Sequence, residues 1–198
     1  MRVFGIDPGS ERTGYGCVES DGRRHRLVLC GAIATAGVPT LGRRLQVIHD
    51  GLSALLEECR PDVVAIENLF FATNVRSALT LGHARGVAML SAVEAGLDLA
   101  EYTPTEIKRA VVGYGRAEKA QVGRMVALLL GLERPPAPHD AADALAVALC
   151  HLHRVPARSS AAATATGRGA LSLKSWRSYR PAKAPTAARP ARVSARRS

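Results

Sequence analysis

The sequence lacks any long apolar run, and no stretch of its 198 residues reaches the roughly 20 residues that a membrane-spanning helix needs. The N-terminus also lacks the pattern of a secretory signal. We therefore expect a soluble cytoplasmic protein without membrane contacts. Cysteines are few, and Cys17, Cys30, Cys59 and Cys150 form no CxxC pair. Cysteines without such pairs are typical of small buried residues in a reducing compartment.

Acidic residues are absent from the last part of the chain. Residues 154–198 contain 11 Lys and Arg and no Asp or Glu, whereas the whole chain has 27 basic and 17 acidic residues. Residues 1–153 therefore carry a net charge of −1. The last segment is rich in Ala, Arg, Ser and Pro without periodicity, which is typical of disorder. We expect a folded domain over 1–153 and a disordered basic tail over 154–198. The tail either contacts nucleic acid or only keeps the protein soluble.

The hydrophobic pattern before the tail predicts a mixed α/β fold. Three segments joined by short turns, RVFGID, TGYGCVES and HRLVLCGAIAT, predict antiparallel strands. A helical pattern in LGRRLQVIHDGLSALLEECR ends before Pro61. The continuous apolar run VVAIE predicts a buried parallel strand, and LDLAEYT predicts a fifth strand. Further helical patterns cover about 74–96, 105–112, 118–130 and 140–153. Together they predict a five-stranded sheet, three antiparallel strands followed by two parallel ones, with helices on both faces.

Four carboxylates stand at the ends of these predicted elements. Asp7 ends the first strand and Glu67 ends the VVAIE strand, while Asp140 and Asp143 open the last helix on one face. If the two strands are parallel neighbours, Asp7 and Glu67 meet at the carboxyl edge of the sheet, where such sheets bind ligands. Crowded like charges are costly without a cation, and hard divalent cations prefer oxygen ligands. We therefore predict a metal site for phosphodiester cleavage.

Each acid also has an ordinary structural interpretation. Asp7 begins the turn sequence DPG. Asp140 suits the N-cap of the last helix, and Asp143 suits its first turn, where the helix dipole favours negative charge. Glu67 is harder to explain in this way, because Glu is rarely buried without a partner. The coincidence of all four on one architecture favours the metal site.

Several segments together resemble the RuvC family of Holliday-junction resolvases. They occur in order between about residues 2 and 153, as GIDPGS, TGYG, AIENLFFATN, ALTLGHARGVA, VVGYGRAEKAQV and HDAADALAVALCHLH. The resemblance implies an RNase H-like fold, a homodimer, and cutting of four-way DNA junctions by paired symmetric nicks in recombination and repair. It implies Mg²⁺ as the cofactor, with two ions expected per site and Mn²⁺ as a substitute, and RuvA- and RuvB-like branch-migration partners. Typical members lack a tail like this one, so no role for it follows from the family.

The acidic cluster of the family maps onto Asp7, Glu67, Asp140 and Asp143. Some members carry His at the position of Asp140, and His139 stands directly before it here. Which of the two side chains faces the metals is open, and the spacing to Asp143 favours Asp140.

The resemblance also implies side chains that meet DNA. Lys108 and Lys119 match basic positions near the DNA, and we count Lys119 as catalytic because a Lys near the scissile phosphate offsets developing charge. Phe70 matches an aromatic position that contacts junction bases, with Phe71 as its rival. Solvated helix lysines and a core Phe are the ordinary alternatives. The candidate DNA contacts are Phe70, Arg76, Arg85, Lys108 and Lys119.

Small residues recur along the predicted helix over 74–96, at Ala78, Gly82, Gly86 and Ala88. They allow close approach of another element, and the family dimerises on this helix. Packing against the protein's own sheet explains the same pattern. A two-fold dimer suits a nearly two-fold junction.

Two other functions compete with the nuclease. One is an ATP-binding phosphotransferase of the same broad fold, in which the Asp-x-Gly turn holds phosphate. It would need further glycine-rich loops around an adenosine pocket. The other is a junction-binding protein whose acids are only structural.

Overall fold

The computed structural model describes residues 1–68 and 75–155. Within these ranges the strands are β1 (Arg2–Asp7), β2 (Arg12–Ser20), β3 (His25–Ala34), β4 (Val63–Glu67) and β5 (Asp98–Tyr102). The helices are α1 (Leu41–Cys59), α2 (Val75–Glu94), α3 (Pro104–Val112), α4 (Lys119–Leu130) and α5 (His139–Arg154). None of these helices is long and apolar enough to cross a membrane. From residue 156 onwards the predicted tail lies outside the described residues.

The strands form one sheet in the order β3–β2–β1–β4–β5. β2 pairs antiparallel with β1 and β3, and β4 pairs parallel with β1 and β5. This confirms the predicted sheet, including the parallel pairing of the two continuous apolar strands. Those two strands are central and are covered on both faces, which is why their sequences carry no polar alternation.

Side chains of the central strands alternate between two hydrophobic clusters. Phe4 and Ile6 of β1 are fully buried in the cluster beneath α1 and α2. Val3 points to the other face and packs in the cluster formed with α3, α4 and α5. Because side chains alternate along a strand, Asp7 faces the same side as Val3, and Glu67 faces the same side as Val63. Both carboxylates therefore point towards the face that α5 covers.

Glycines on this face allow α5 to lie directly on the sheet. A Cβ atom at Gly5 would collide with the backbone oxygen of Ala144 and lie 2.9 Å from the backbone nitrogen of Ala148. A Cβ atom at Gly14 would lie 2.6 Å from the carbonyl carbon of Asp140. Gly14 is the register partner of Asp7. The first turn of α5 is thus held against the strand ends that carry the acids.

The start of α5 differs from the prediction by one residue. The helix begins at His139, and Pro138 occupies the N-cap position. Asp140 therefore lies inside the first turn, and its interpretation as an N-cap is wrong. Asp143 remains one turn further on, on the buried side of a helix whose residues from Ala144 to His151 are all buried.

Specific caps fix both ends of α3 and the start of α4. Thr103 and Glu106 form a capping box at the start of α3, and Gly113 ends this helix with a φ of 96°. At the start of α4 the side chain of Gln121 accepts a hydrogen bond from the backbone N–H of Glu118 at 2.9 Å. This contact fixes where α4 begins, and therefore where its first residue, Lys119, is presented.

We predict that Gly5→Ala destabilises the protein by about 1–3 kcal/mol or more, because the new methyl group meets helix backbone that cannot move aside alone. Urea unfolding followed by far-UV circular dichroism measures the change. Gly42→Ala is the matched control, since a Cβ atom there meets nothing within 4 Å. The control should be neutral or slightly stabilising. Equal stability of Gly5→Ala and wild type would contradict the close approach of α5.

Candidate active site

Two carboxyl groups lie side by side at the carboxyl edge of the sheet. Ile6 and Ile66 are register partners in the parallel pair β1–β4, so the next residues, Asp7 and Glu67, end the two strands together. The two side chains are in hydrogen-bond contact, in which one carboxyl group carries a proton and the other accepts it. Both residues are half-buried. The parallel pairing predicted from the sequence therefore brings these two acids together.

The pKa values of this pair reflect burial next to other acids. Burial, the charge of Glu67 and the hydrogen bond with it raise the pKa of Asp7 to about 8, and Asp143 adds to the effect. Burial is also the main cause that raises the pKa of Glu67, with Asp143 contributing and the bond with Asp7 opposing. Lys119 opposes both increases. The pair thus holds a proton at neutral pH that a bound cation can replace.

Asp143 and Lys119 complete this group from α5 and α4. The ammonium of Lys119 donates to the Asp143 carboxylate at an Nζ–Oδ2 distance of 2.9 Å. This hydrogen bond is the main cause that raises the pKa of Lys119, with smaller contributions from Asp7 and Glu67. The Lys119 side chain is nevertheless 81% exposed. It extends from the acidic cluster into solvent, where its ammonium can reach a substrate.

Asp140 lies over Gly14, the register partner of Asp7, and its carboxylate has a cation of its own. Its carboxylate is 3.9 Å from the guanidinium of Arg12, at the start of β2. It is not among the main causes of the shift at Asp7, whereas Asp143 is. His139 is exposed and Asp140 is half-buried, so the choice between them as a ligand stays open. Asp7, Glu67 and Asp143 interact electrostatically, and Asp140 lies next to this group with its carboxylate paired to Arg12.

The positive charge that offsets these acids comes from side chains. Asp143 faces Lys119, and Asp140 faces Arg12. Lys108 of α3 is half-buried and its charge opposes the rise in the pKa of Glu67. Within residues 1–68 and 75–155, no group of three or more His, Cys, Asp or Glu side chains is already placed to hold a metal ion. The donor set still suits a hard divalent cation, because it supplies carboxylate oxygens that already compete for a proton.

The remaining predicted DNA contacts differ in their surroundings. Arg76 is exposed near the start of α2. Arg85 is half-buried and donates from Nε to the backbone oxygen of Glu67 at 3.3 Å. Phe70 and Phe71 lie outside the described residues. Their roles, like those of the acids and lysines, stay predictions.

Sequence reasoning missed two residues that pair with predicted site residues. Arg12 stands in the same segment as the first acid, but nothing in the spacing shows which carboxylate it will meet. In the sequence, Glu101 is only one residue of the predicted fifth strand. In the structure it forms an ion pair with Arg85. Both contacts depend on side chains from distant segments, which no local pattern reports.

The chain is similar to known nucleases over the whole described domain. The family model for the crossover junction endodeoxyribonuclease RuvC matches residues 3–151. RuvC of Chloroflexus aggregans is 52% identical over 157 residues, which are 79% of this chain and 95% of that protein. The structure of Thermus thermophilus RuvC with a Holliday junction substrate has a TM-score of 0.73 and 38% identity, and covers 76% of this chain and 92% of that one.

The fold alone extends to a more distant resolvase. The yeast mitochondrial Holliday junction resolvase Ydc2 superposes with a TM-score of 0.56 at 15% identity, and the match covers 76% of this chain and 77% of that one. The predicted RNase H-like sheet is therefore confirmed by the observed strand order and by these neighbours. On its sequence, its fold and its match to the family model, this chain belongs to the RuvC family of crossover junction endodeoxyribonucleases.

Proposed function

We propose that this chain resolves Holliday junctions by paired symmetric nicks in opposing strands, through metal-dependent hydrolysis of phosphodiester bonds in recombination and repair. The observation that carries this proposal is the convergence of Asp7, Glu67 and Asp143 beside Lys119, in a chain of the RuvC family. The ATP-binding and purely structural alternatives have no comparable support. We assign the activity to the cytoplasm.

Enzymes of this family depend on divalent metal ions in general. We assign Mg²⁺ here, with two ions per site and Mn²⁺ as a substitute, because carboxylates with retained waters suit Mg²⁺. Asp7, Glu67 and Asp143 would hold the ions, and Asp140 would join them by leaving Arg12. Bound Mg²⁺ supplies an activated water nucleophile and charge stabilisation for the leaving oxygen.

The chain's own residues orient the substrate and manage charge. Lys119 binds Asp143 in the free protein and is mostly exposed, so it is free to turn to a phosphate oxygen when a cation takes over the carboxylate. At the scissile phosphate its charge stabilises the transition state. Lys108 lies close enough to Glu67 to influence its pKa and approaches from α3. Arg76 is exposed for contact with the DNA backbone.

A homodimer is supported by an apolar stripe on α2. The residues of this stripe lie within about 80° of one another around the helix axis, on the side opposite the buried Ala84, Ala88 and Ala92. The exposed large side chains of the stripe are Val75, Leu79, Leu90 and Val93. Gly82 and Gly86 lie between them, and a Cβ atom added at either would meet nothing within 4 Å. A second copy packed here would bury the stripe and present two sites to the two-fold junction.

RuvA- and RuvB-like proteins are the partners that we assign from family membership. Branch migration moves a junction along DNA, and a nuclease that acts on junctions is needed after it. The basic tail over 154–198 is assigned to phosphate contacts without sequence preference, because it has 11 positive and no negative side chains, whereas residues 1–153 have a net charge of −1.

Asp7→Asn tests the cleavage chemistry. We expect it to abolish nicking of a labelled four-way junction in Mg²⁺ or Mn²⁺, because a neutral amide cannot supply the charge that holds the ions. Junction binding in EDTA should stay within about twofold of wild type, because binding depends on basic side chains. Asp50→Asn, at an exposed site on α1, is the control and should cut normally. Linear duplex serves as the control substrate. Near-normal cutting by Asp7→Asn would refute the role of Asp7.

The same variant tests the cost of burying the acids. The pKa of Asp7 is raised from 3.8 to about 8 in the folded state, so wild type loses stability as the pH rises from about 4 to 8. Asparagine carries no charge, so we expect Asp7→Asn to be more stable in EDTA, by a few kcal/mol at pH 8 and by little at pH 4. Thermal and urea unfolding measure this difference. Added Mg²⁺ should narrow it by stabilising wild type. A difference that does not change with pH would contradict the buried pair.

Removal of the tail tests its contact with phosphates. The truncated chain should end at Val155, because Arg154 forms an ion pair with Glu106 at 2.9 Å. We expect weaker junction binding and a shallower dependence of log Kd on log salt, with the preference for junction over duplex retained. Fluorescence anisotropy at several salt concentrations measures both quantities. An unchanged slope would show that the tail makes no phosphate contacts.

A further inference from the structure

Arg85 connects α2 to the strand that carries Glu67. Its Nε–H donates to the backbone oxygen of Glu67 at 3.3 Å. Its guanidinium also forms an ion pair with the carboxylate of Glu101 on β5. The Arg85 side chain is only 20% exposed. A long cationic side chain is thus held by two acceptors from two neighbouring strands.

The position of these acceptors links Arg85 to the acidic cluster. Glu101 is the register partner of Ile66, the residue before Glu67. Ile66 packs towards α1 and α2, so Arg85 reaches β4 from the face opposite to the one that the Glu67 carboxylate occupies. The peptide group that follows Glu67 is held on both sides, by Arg85 at its oxygen and by the bond from the Asn68 N–H to the Tyr102 oxygen at 2.7 Å. Because the direction of a side chain follows from its backbone, the bond from Arg85 helps to fix where the Glu67 carboxylate points.

These contacts make Arg85 a poor phosphate ligand. The charge of Glu101 offsets its own, and the two acceptors engage its Nε–H and one NH2 group. Arg76, on the same helix, is by comparison exposed to solvent. Two predicted DNA contacts on one helix therefore lie in opposite environments.

We propose that Arg85 is a positioning residue for Glu67, and that Glu101 holds Arg85 in place for this purpose. The proposal rests on the proposed function in one respect, namely that Glu67 binds the metal ions. It replaces a direct role of Arg85 in DNA binding with an indirect role in metal binding. Only arginine suits the position, because its planar fork reaches a carbonyl and a carboxylate together, whereas lysine has a single nitrogen.

Three variants separate the two roles, namely Arg85→Met, Arg85→Lys and Glu101→Gln. For each we would measure the Mg²⁺ concentration for half-maximal cleavage at saturating junction. We would also measure the rise in Tm on adding Mg²⁺ without DNA, and the junction Kd in EDTA. Residues that orient metal ligands typically change metal affinity 10- to 100-fold when they are replaced. We expect Arg85→Met and Glu101→Gln to raise the Mg²⁺ midpoint roughly tenfold and to reduce the Tm response.

Glu101→Gln gives opposite results under the two roles. If Arg85 positions Glu67, this variant weakens metal binding and leaves the junction Kd within about twofold, as does Arg85→Met. If Arg85 binds phosphate, loss of the neighbouring negative charge tightens junction binding and leaves the Mg²⁺ midpoint unchanged. Arg85→Lys should fall between wild type and Arg85→Met in metal affinity. Unchanged metal affinity in both Arg85→Met and Glu101→Gln would overturn the proposal.

Arg44→Met is the matched control for general loss of stability. Arg44 of α1 also donates from Nε to a backbone oxygen, that of Val38, at 2.9 Å. Its replacement should lower Tm without moving the Mg²⁺ midpoint. If Arg85→Met fails to fold, Glu101→Gln carries the test, since its side chain keeps its size. Failure of the proposed function itself would appear separately, as wild-type protein that neither cuts junctions nor gains Tm with Mg²⁺.

Discussion

The parallel pairing of β1 with β4 forces two carboxyl groups into contact at the edge of the sheet. Asp7 and Glu67 end adjacent strands in the same register and point to the same face. Burial and proximity both disfavour their charged forms, and the raised pKa of Asp7 reflects this free-energy cost of ionisation. A protein that only had to fold would gain from a neutral residue at either position. In the proposed function, this cost is offset when a divalent cation takes the place of the shared proton.

The close fit of α5 on the sheet places its two acids beside this pair. Gly5 and Gly14 let the helix backbone touch the strands, with Asp140 directly above Gly14. Asp143, one turn later, is then within electrostatic reach of Asp7 and meets Lys119. Asp140 lies over β2, where Arg12 is the nearest cation that pairs with it. The two glycines thus allow the acids of α5 to approach the edge of the sheet.

Much of this arrangement could be predicted from the sequence, because it follows from the backbone. Apolar runs predicted the central strands, and the rule that parallel strands end at one edge predicted the meeting of Asp7 and Glu67. The contacts of Arg12 and Arg85 could not be predicted, since long side chains choose among acceptors brought close only by the complete fold. The start of α5 was one residue wrong because Pro138 occupies the N-cap position without a side-chain acceptor that marks it.

A nuclease must bring a polyanion to a cluster of acids, and the distribution of charge in this chain addresses that conflict. Residues 1–153 have a net charge close to zero, and two acids at the site are paired with cations, Asp143 with Lys119 and Asp140 with Arg12. In the proposed function, those cations hold the two carboxylates in the free protein and turn to phosphate when metal ions take their place. One set of side chains can therefore serve the stability of the free enzyme and the binding of DNA, at different stages of the same reaction.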